Sequence, residues 1–104
     1  MVDAFSIISE KVVDVAIKYG CEITVQKDEI ISIEGVAMSD MIEAVAKRTG
    51  FWLSKKEGSS FFCNICSKGP FTKRGLYLHL SRLHRSEIKR IIEEELKVEV
   101  KKFT

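Results

Sequence analysis

The sequence predicts an α+β fold, with an N-terminal α-β-β-α module over residues 1–50, a basic hairpin and compact Cys/His unit over 51–85, and a C-terminal helix over 86–104. Three observations predict it. Apolar residues at helical spacing open and close the first fifty residues, short alternating apolar stretches lie between them, and two cysteines and two histidines gather between residues 63 and 84. A hydrophobic content of 45% provides for a packed core and excludes wholesale disorder.

Residues 3–19 read as the first helix. Phe5, Ile8, Val12, Val15 or Ala16 and Tyr19 recur at helical spacing, and Asp3, Ser6, Glu10, Asp14 and Lys18 form a narrow polar stripe. Ile7, Val13 and Ile17 widen the apolar face, so the helix is either covered on several sides within the chain or paired with a second one. Gly20 supplies a stop. Cys21–Gln26 alternates Ile23 and Val25 with polar residues, the pattern of a half-buried strand, and Cys21 itself reads as a small buried hydrophobe. Lys27-Asp28-Glu29 reads as a turn and Ile30–Glu34 as a returning strand. Ser39 or Asp40 caps a helix running to Thr49, with Met41, Ile42, Val45 and Ala46 inward and Gly50 closing it. Phe51-Trp52-Leu53 opens an extended stretch, and the basic segment Ser54–Ser60 turns it back towards Phe61-Phe62-Cys63. Ser86 caps a last helix carrying Ile88, Ile91, Ile92 and Leu96; from about residue 97 a short strand and continued helix both fit Leu96, Val98 and Val100.

The chemistry lies in Cys63-x₂-Cys66-x₁₂-His79-x₄-His84. A two-residue gap lets one tight turn aim both thiolates at a point, and a helix sets the two imidazoles about a turn and a half apart. Four such ligands make a closed tetrahedral shell for one structural Zn²⁺, without the open position that catalytic zinc needs. These are the only histidines, so no Ser/His/Asp or Cys/His catalytic set remains, and neither an enzyme nor a small-molecule substrate is expected.

Residues 61–84 resemble the Cys₂His₂ zinc-finger family. Phe61 matches the family's aromatic two residues before the first cysteine, and Leu76 its core leucine three residues before the first histidine. The resemblance implies a ββα unit. The family's second aromatic falls where this chain has Pro70, with Phe71 displaced by one, which implies an irregular junction between hairpin and helix. No linker of the tandem-array kind follows His84. The resemblance places base-contacting positions on Thr72, Gly75 and Leu78, none able to make a bidentate base contact. The order of a helix and then a basic hairpin also resembles the recognition helix and wing of winged-helix DNA binders.

Charge is distributed unevenly. Residues 1–50 hold five Lys/Arg against nine Asp/Glu, a net of −4, whereas residues 51–90 hold nine against two, a net of +7. Lys55, Lys56, Lys68, Lys73, Arg74, Arg82, Arg85, Lys89 and Arg90 are therefore the candidate nucleic-acid contacts, gripping phosphates of double-stranded DNA in a transcriptional regulator. Because one finger binds weakly, a homodimer or the Lys55–Lys56 hairpin would add surface. Phe62, Ile65, Tyr77, Leu78, Leu80 and Leu83 exceed what a lone finger buries, implying a partner surface within the chain or outside it. The alternative reading is a protein-interaction adaptor presenting Tyr77, Leu78 and Leu80. RNA binding through Phe51, Trp52 and Phe62 is a third. No apolar run approaches a membrane span, the N-terminus does not read as a secretory signal, and the odd cysteine count suits a reducing compartment, so an intracellular (cytoplasmic) protein is expected. Twelve Ile and twelve Lys with one Gln suit an archaeal host or one of its viruses.

Overall fold

The computed structural model describes residues 4–102. Asp3, expected in the first helix, and the last two residues of the 86–104 segment lie outside the described residues. The chain is mostly helical: α1 (Ala4–Gly20), α2 (Lys27–Glu34), a 3₁₀ turn (Val36–Met38), α3 (Ser39–Leu53), β1 (Ser54–Glu57), β2 (Ser60–Cys63), α4 (Lys73–Leu83) and α5 (Arg85–Lys102).

Helix α1 is the axle of the molecule. Its wide apolar face buries Val12, Val13, Val15, Ala16 and Ile17, with α3 and α5 as its main neighbours and α2 and α4 flanking it. The extra width read from Ile7, Val13 and Ile17 is thus mostly covered within the chain, although Ile7 stays half exposed. One continuous core runs from these residues through Ile42, Val45 and Leu53 of α3 and Ile88, Ile92 and Leu96 of α5 to Phe61, Leu76 and Leu80.

Two expected strands are absent. Residues 23–26 carry no regular secondary structure. Ile23 and Val25 still pack on the core, so their alternation reports a half-buried connector rather than a sheet. Lys27-Asp28-Glu29 is the first turn of α2, and Ile30–Glu34 completes that helix. The Gln26 amide donates to Glu29 Oε1 at 3.4 Å, and Ile30 and Ile33, one turn apart, face inward. The terminal segment also stays helical to Lys102.

Gly50 does not end α3, which continues through Phe51 and Trp52 to Leu53. A Cβ built on Gly50 would lie 2.7 Å from both Ala16 O and Tyr19 Cβ, so this glycine is where α3 crosses α1 at backbone contact. The hairpin consequently starts at Ser54, not at residue 51. It pairs Ser54 with Cys63 through to Glu57 with Ser60, turning at Gly58, whose φ is +63°.

Candidate metal centre

Strand β2 delivers the first ligand. Phe61 bridges Phe71 across the edge of β2 opposite β1, the two residues exchanging backbone hydrogen bonds of 2.9 and 2.8 Å. This single bridge joins Phe71, just before α4, to β2, while β1 pairs along the other edge of β2. After Cys63 the chain turns tightly. The Ser67 amide donates to Cys63 O at 2.8 Å and the Cys63 amide to Lys68 O at 2.9 Å, folding Cys66 back beside Cys63. Asn64 ties this turn to the end of α3, its Nδ2 donating to Trp52 O at 2.7 Å and its amide to Leu53 O at 3.0 Å.

Helix α4 delivers the imidazoles. Thr72 caps it by accepting from the Gly75 amide at 3.0 Å. Leu76 and Leu80 bury its inner face, which aims His79 at the cysteines; its ring lies 4.7 Å from that of Phe71. The displaced aromatic thus occupies a working position. At His84 the α4 ladder ends, with φ −124° and ψ 14°, and α5 begins at the next residue. This break, at the second ligand itself, brings the second imidazole round, its ring 4.9 Å from that of His79.

One ligand atom from each of Cys63, Cys66, His79 and His84 lies within 4.8 Å of all the others, and Cys66 Sγ is 3.2 Å from His79 Nε2. A tetrahedral shell of thiolates and imidazoles spaces neighbouring ligand atoms by about 3.3–3.8 Å, so small side-chain adjustments close the set round one ion. His84 adds an independent sign of fit. Its Nδ1 is 2.8 Å from Glu87 Oε1, while its buried Nε2 has no hydrogen-bond partner. A carboxylate on the outer nitrogen and an orphan on the inner one is how ligating histidines are held.

The electrostatics agree. Burial would raise the Cys66 thiol, but the Lys68 amide and neighbouring His84 outweigh it and leave Cys66 below the ordinary thiol value. Burial pushes Cys63 up. Burial and the adjacent His84 keep His79 below the ordinary histidine value, hence neutral and able to ligate. Cys21, outside the cluster, is fully buried; burial pushes its thiol up to about 12, which makes it an inert core residue.

The candidate nucleic-acid contacts separate into two groups. Arg85 is removed from them. Its guanidinium donates to Glu10 Oε1 at 2.7 Å and Asp14 Oδ1 at 2.9 Å, because these two carboxylates stand one turn apart on α1 and form a ready clamp. Lys89 lies 3.7 Å from Glu10 Oε2, Lys56 pairs with Glu22 at 2.9 Å, and Lys55 pairs with Glu57 at 3.1 Å. Lys73 donates to the Glu22 carbonyl at 3.2 Å. Lys68, Arg74, Arg82 and Arg90 are exposed and make no ion pair among the described residues. Leu80 is fully buried and cannot be presented to a partner. Glu87 was not among the expected site residues, although its place one helical turn beyond His84 is a legible signal.

Fold and site together define a small, mostly helical protein whose Cys₂His₂ cluster can hold one metal ion. Compared with known proteins, the chain matches no family model, no curated protein and no solved structure. No described helix is long and apolar enough to cross a membrane.

Proposed function

We propose that Cys63, Cys66, His79 and His84 hold one structural Zn²⁺ in a unit of the Cys₂His₂ finger type, and that the protein is a DNA-binding regulator gripping the phosphate backbone. When bound, the ion supplies cross-linking of the Cys63–Cys66 turn to α4. The observation that carries the nucleic-acid reading is the exposed, unpaired pair Arg74 and Arg82. They sit eight residues apart on α4, on one stripe with Leu78 between them, about 12 Å apart along the axis. Lys68, two residues beyond Cys66, is a further exposed cation without an ion pair among the described residues. Base reading by α4 has little support. The Thr72 hydroxyl is spent on capping, Gly75 has no side chain, and Leu78 offers only apolar contact. Contacts to phosphate therefore carry the affinity, with the hairpin or a second copy supplying the surface one finger lacks.

A duplex-DNA shift assay across a salt series tests this. Arg74→Glu with Arg82→Glu is expected to abolish binding at moderate salt. Replacing both by Gln should flatten the log–log salt slope by roughly two phosphate contacts, about 0.9 each. A wild type that fails to shift duplex at low salt, or charge-reversed protein that binds equally well, refutes the reading. An adaptor role keeps one specific support: Ile23, Tyr77 and Leu78 line a hollow beside α4, rimmed by Lys18, Lys73 and Arg74.

A further inference from the structure

Phe51 and Trp52 are consecutive aromatics on the last turn of α3, 89% and 51% exposed. Their neighbours Gly50 and Leu53 take the inward positions, so both rings project outward from a rigid element. The aromatics are also held in place. Asn64, lying between the two metal-ligating cysteines, donates from its side chain to the Trp52 carbonyl and from its backbone to the next one. They border a cleft of about 560 Å³ shared with Lys55, Lys56 and Asn64. The one carboxylate lining it, Glu22, is neutralised by Lys56 at 2.9 Å.

We propose that Phe51 and Trp52 form a stacking platform for unpaired bases, with Lys55 and Lys56 beside it for the phosphates, so that this face binds single-stranded nucleic acid. Exposed aromatic faces next to cations are what single strands need, because every base presents a π-face and stacking tolerates any sequence. A duplex keeps those faces inside its stack. An acidic protein surface would meet the lysines but leave two outward rings without partners of their own kind. Lys55 and Lys56 hold exposed ion pairs with Glu57 and Glu22; such pairs are weak, so both lysines can exchange to the phosphates of a strand whose bases meet the rings. The platform rests on the reading of the protein as a nucleic-acid binder, yet its two rings are separate from Arg74 and Arg82, the residues that carry the duplex reading.

The test uses the whole zinc-loaded chain and Trp52, its single tryptophan, as the reporter. Oligo-dT, oligo-U and a blunt duplex are titrated against Trp52 fluorescence. Saturable quenching by a single strand is expected, with little response to duplex, and the two oligomers distinguish DNA from RNA. Phe51→Ala and Trp52→Ala, read by anisotropy of labelled oligomer, should each weaken single-strand binding by about 5- to 150-fold. Duplex binding in the shift assay should be unchanged. Because both rings are exposed, the variants are expected to melt like wild type, which excludes misfolding as the cause.

Fluorescence unmoved by saturating oligo-dT and oligo-U, or variants within twofold of wild type, overturns the platform. If duplex still binds in that case, only the platform fails; if neither form binds at low salt, the nucleic-acid reading fails with it. Self-association in sedimentation that Trp52→Ala abolishes would assign the rings to a second copy and likewise overturn the proposal.

Discussion

The contact between His84 and Glu87 makes the metal centre open to a quantitative test. Removing the carboxylate with Glu87→Ala leaves every ligand in place but frees the imidazole that Oε1 holds at 2.8 Å. Loss of such an outer partner typically costs 10- to 100-fold in metal affinity. The Glu87 side chain is 53% exposed against 10% for His84, so solvent screens the charge and the low end applies, about tenfold or ~1.4 kcal/mol. The pH dependence follows from the same bond. Burial lowers the proton affinity of His84, but the Glu87 hydrogen bond and the Cys66 charge outweigh it, and the free imidazole sits above its ordinary 6.5. Zinc needs that imidazole neutral. Above the histidine range protons do not compete and the full tenfold is seen. As pH falls through it, protons compete harder with wild type than with the variant, and the ratio shrinks. Competition for Zn²⁺ against a chromophoric chelator at pH 8 and pH 6 measures both values, with Glu87→Gln, which keeps an acceptor oxygen, expected in between. Affinities within twofold at pH 8, or a ratio that grows on acidification, would refute the role of Glu87.

Other perturbations probe the body that carries the site. Gly50→Ala gains about 1 kcal/mol of helix propensity but forces a Cβ to 2.7 Å from Ala16 O and Tyr19 Cβ. Overpacking against a backbone costs about 1–3 kcal/mol, so the melting temperature should fall, at about 4–8 °C per kcal/mol lost; a rise would mean the helices do not cross there. Arg85→Met leaves Glu10 and Asp14 facing each other with Lys89 as the remaining cation. It should cost about 1–2 kcal/mol for this part-exposed pair of charge-assisted bonds while leaving duplex affinity unchanged, and weakened duplex binding at full stability would return Arg85 to the contact surface. Glu29 beside Lys18, Glu43 beside Lys47 and Lys27, and Glu99 beside Arg48 and Lys102 are all held below the ordinary carboxylate value. Depressed values mean stability that is present above the unfolded carboxylate pKa, about 4.3, and lost below it. The melting temperature of metal-free protein should therefore decline as pH drops from about 4.5, and one that stays level to pH 3 would contradict these pairings.

The ligand set was legible because spacing alone brings two thiols and two imidazoles to one point. Helices α1, α3 and α5 were legible from their apolar periods, and α4 from the histidine spacing and the finger resemblance. The segment at Ile30-Ile31-Ile33 was not, because three isoleucines in four positions satisfy the helical and the strand period equally. What decides is the turn before it, where Gln26 and Glu29 close a helix start. Gly50 reads locally as a stop, and only the tertiary crossing with α1 reveals it as a close-approach residue. Arg85 looked like a free cation because its partners lie 71 and 75 residues away. Local pattern carries local structure, but ion pairing across the fold leaves no mark in composition.

The surplus of apolar residues on the finger, the displaced aromatic and the paired arginine have one physical cause, which lies at the junction of α4 and α5. Within four residues the chain places a metal ligand at His84, the clamp to α1 at Arg85 and the support of His84 at Glu87. A finger that folds alone must draw its stability from the ion and a few core side chains. Here Phe61, Leu76 and Leu80 join the same core as α1, α3 and α5, so the unit borrows packing that an isolated finger lacks. That support extends to the hairpin-to-helix junction, where Phe71 packs against the same core with its ring 4.7 Å from that of His79. It also sets what loss of the ion would do. The Cys63–Cys66 turn, Asn64 and the end of α3 are joined by hydrogen bonds, and His84 begins the segment docked on α1. Disorder introduced at the ligands therefore has two routes into the helical body, one through Trp52 and one through Arg85. On the proposed reading, an ion held by the four ligands would act as a clip between α4 and the Cys63–Cys66 turn, the turn that Asn64 ties to the end of α3.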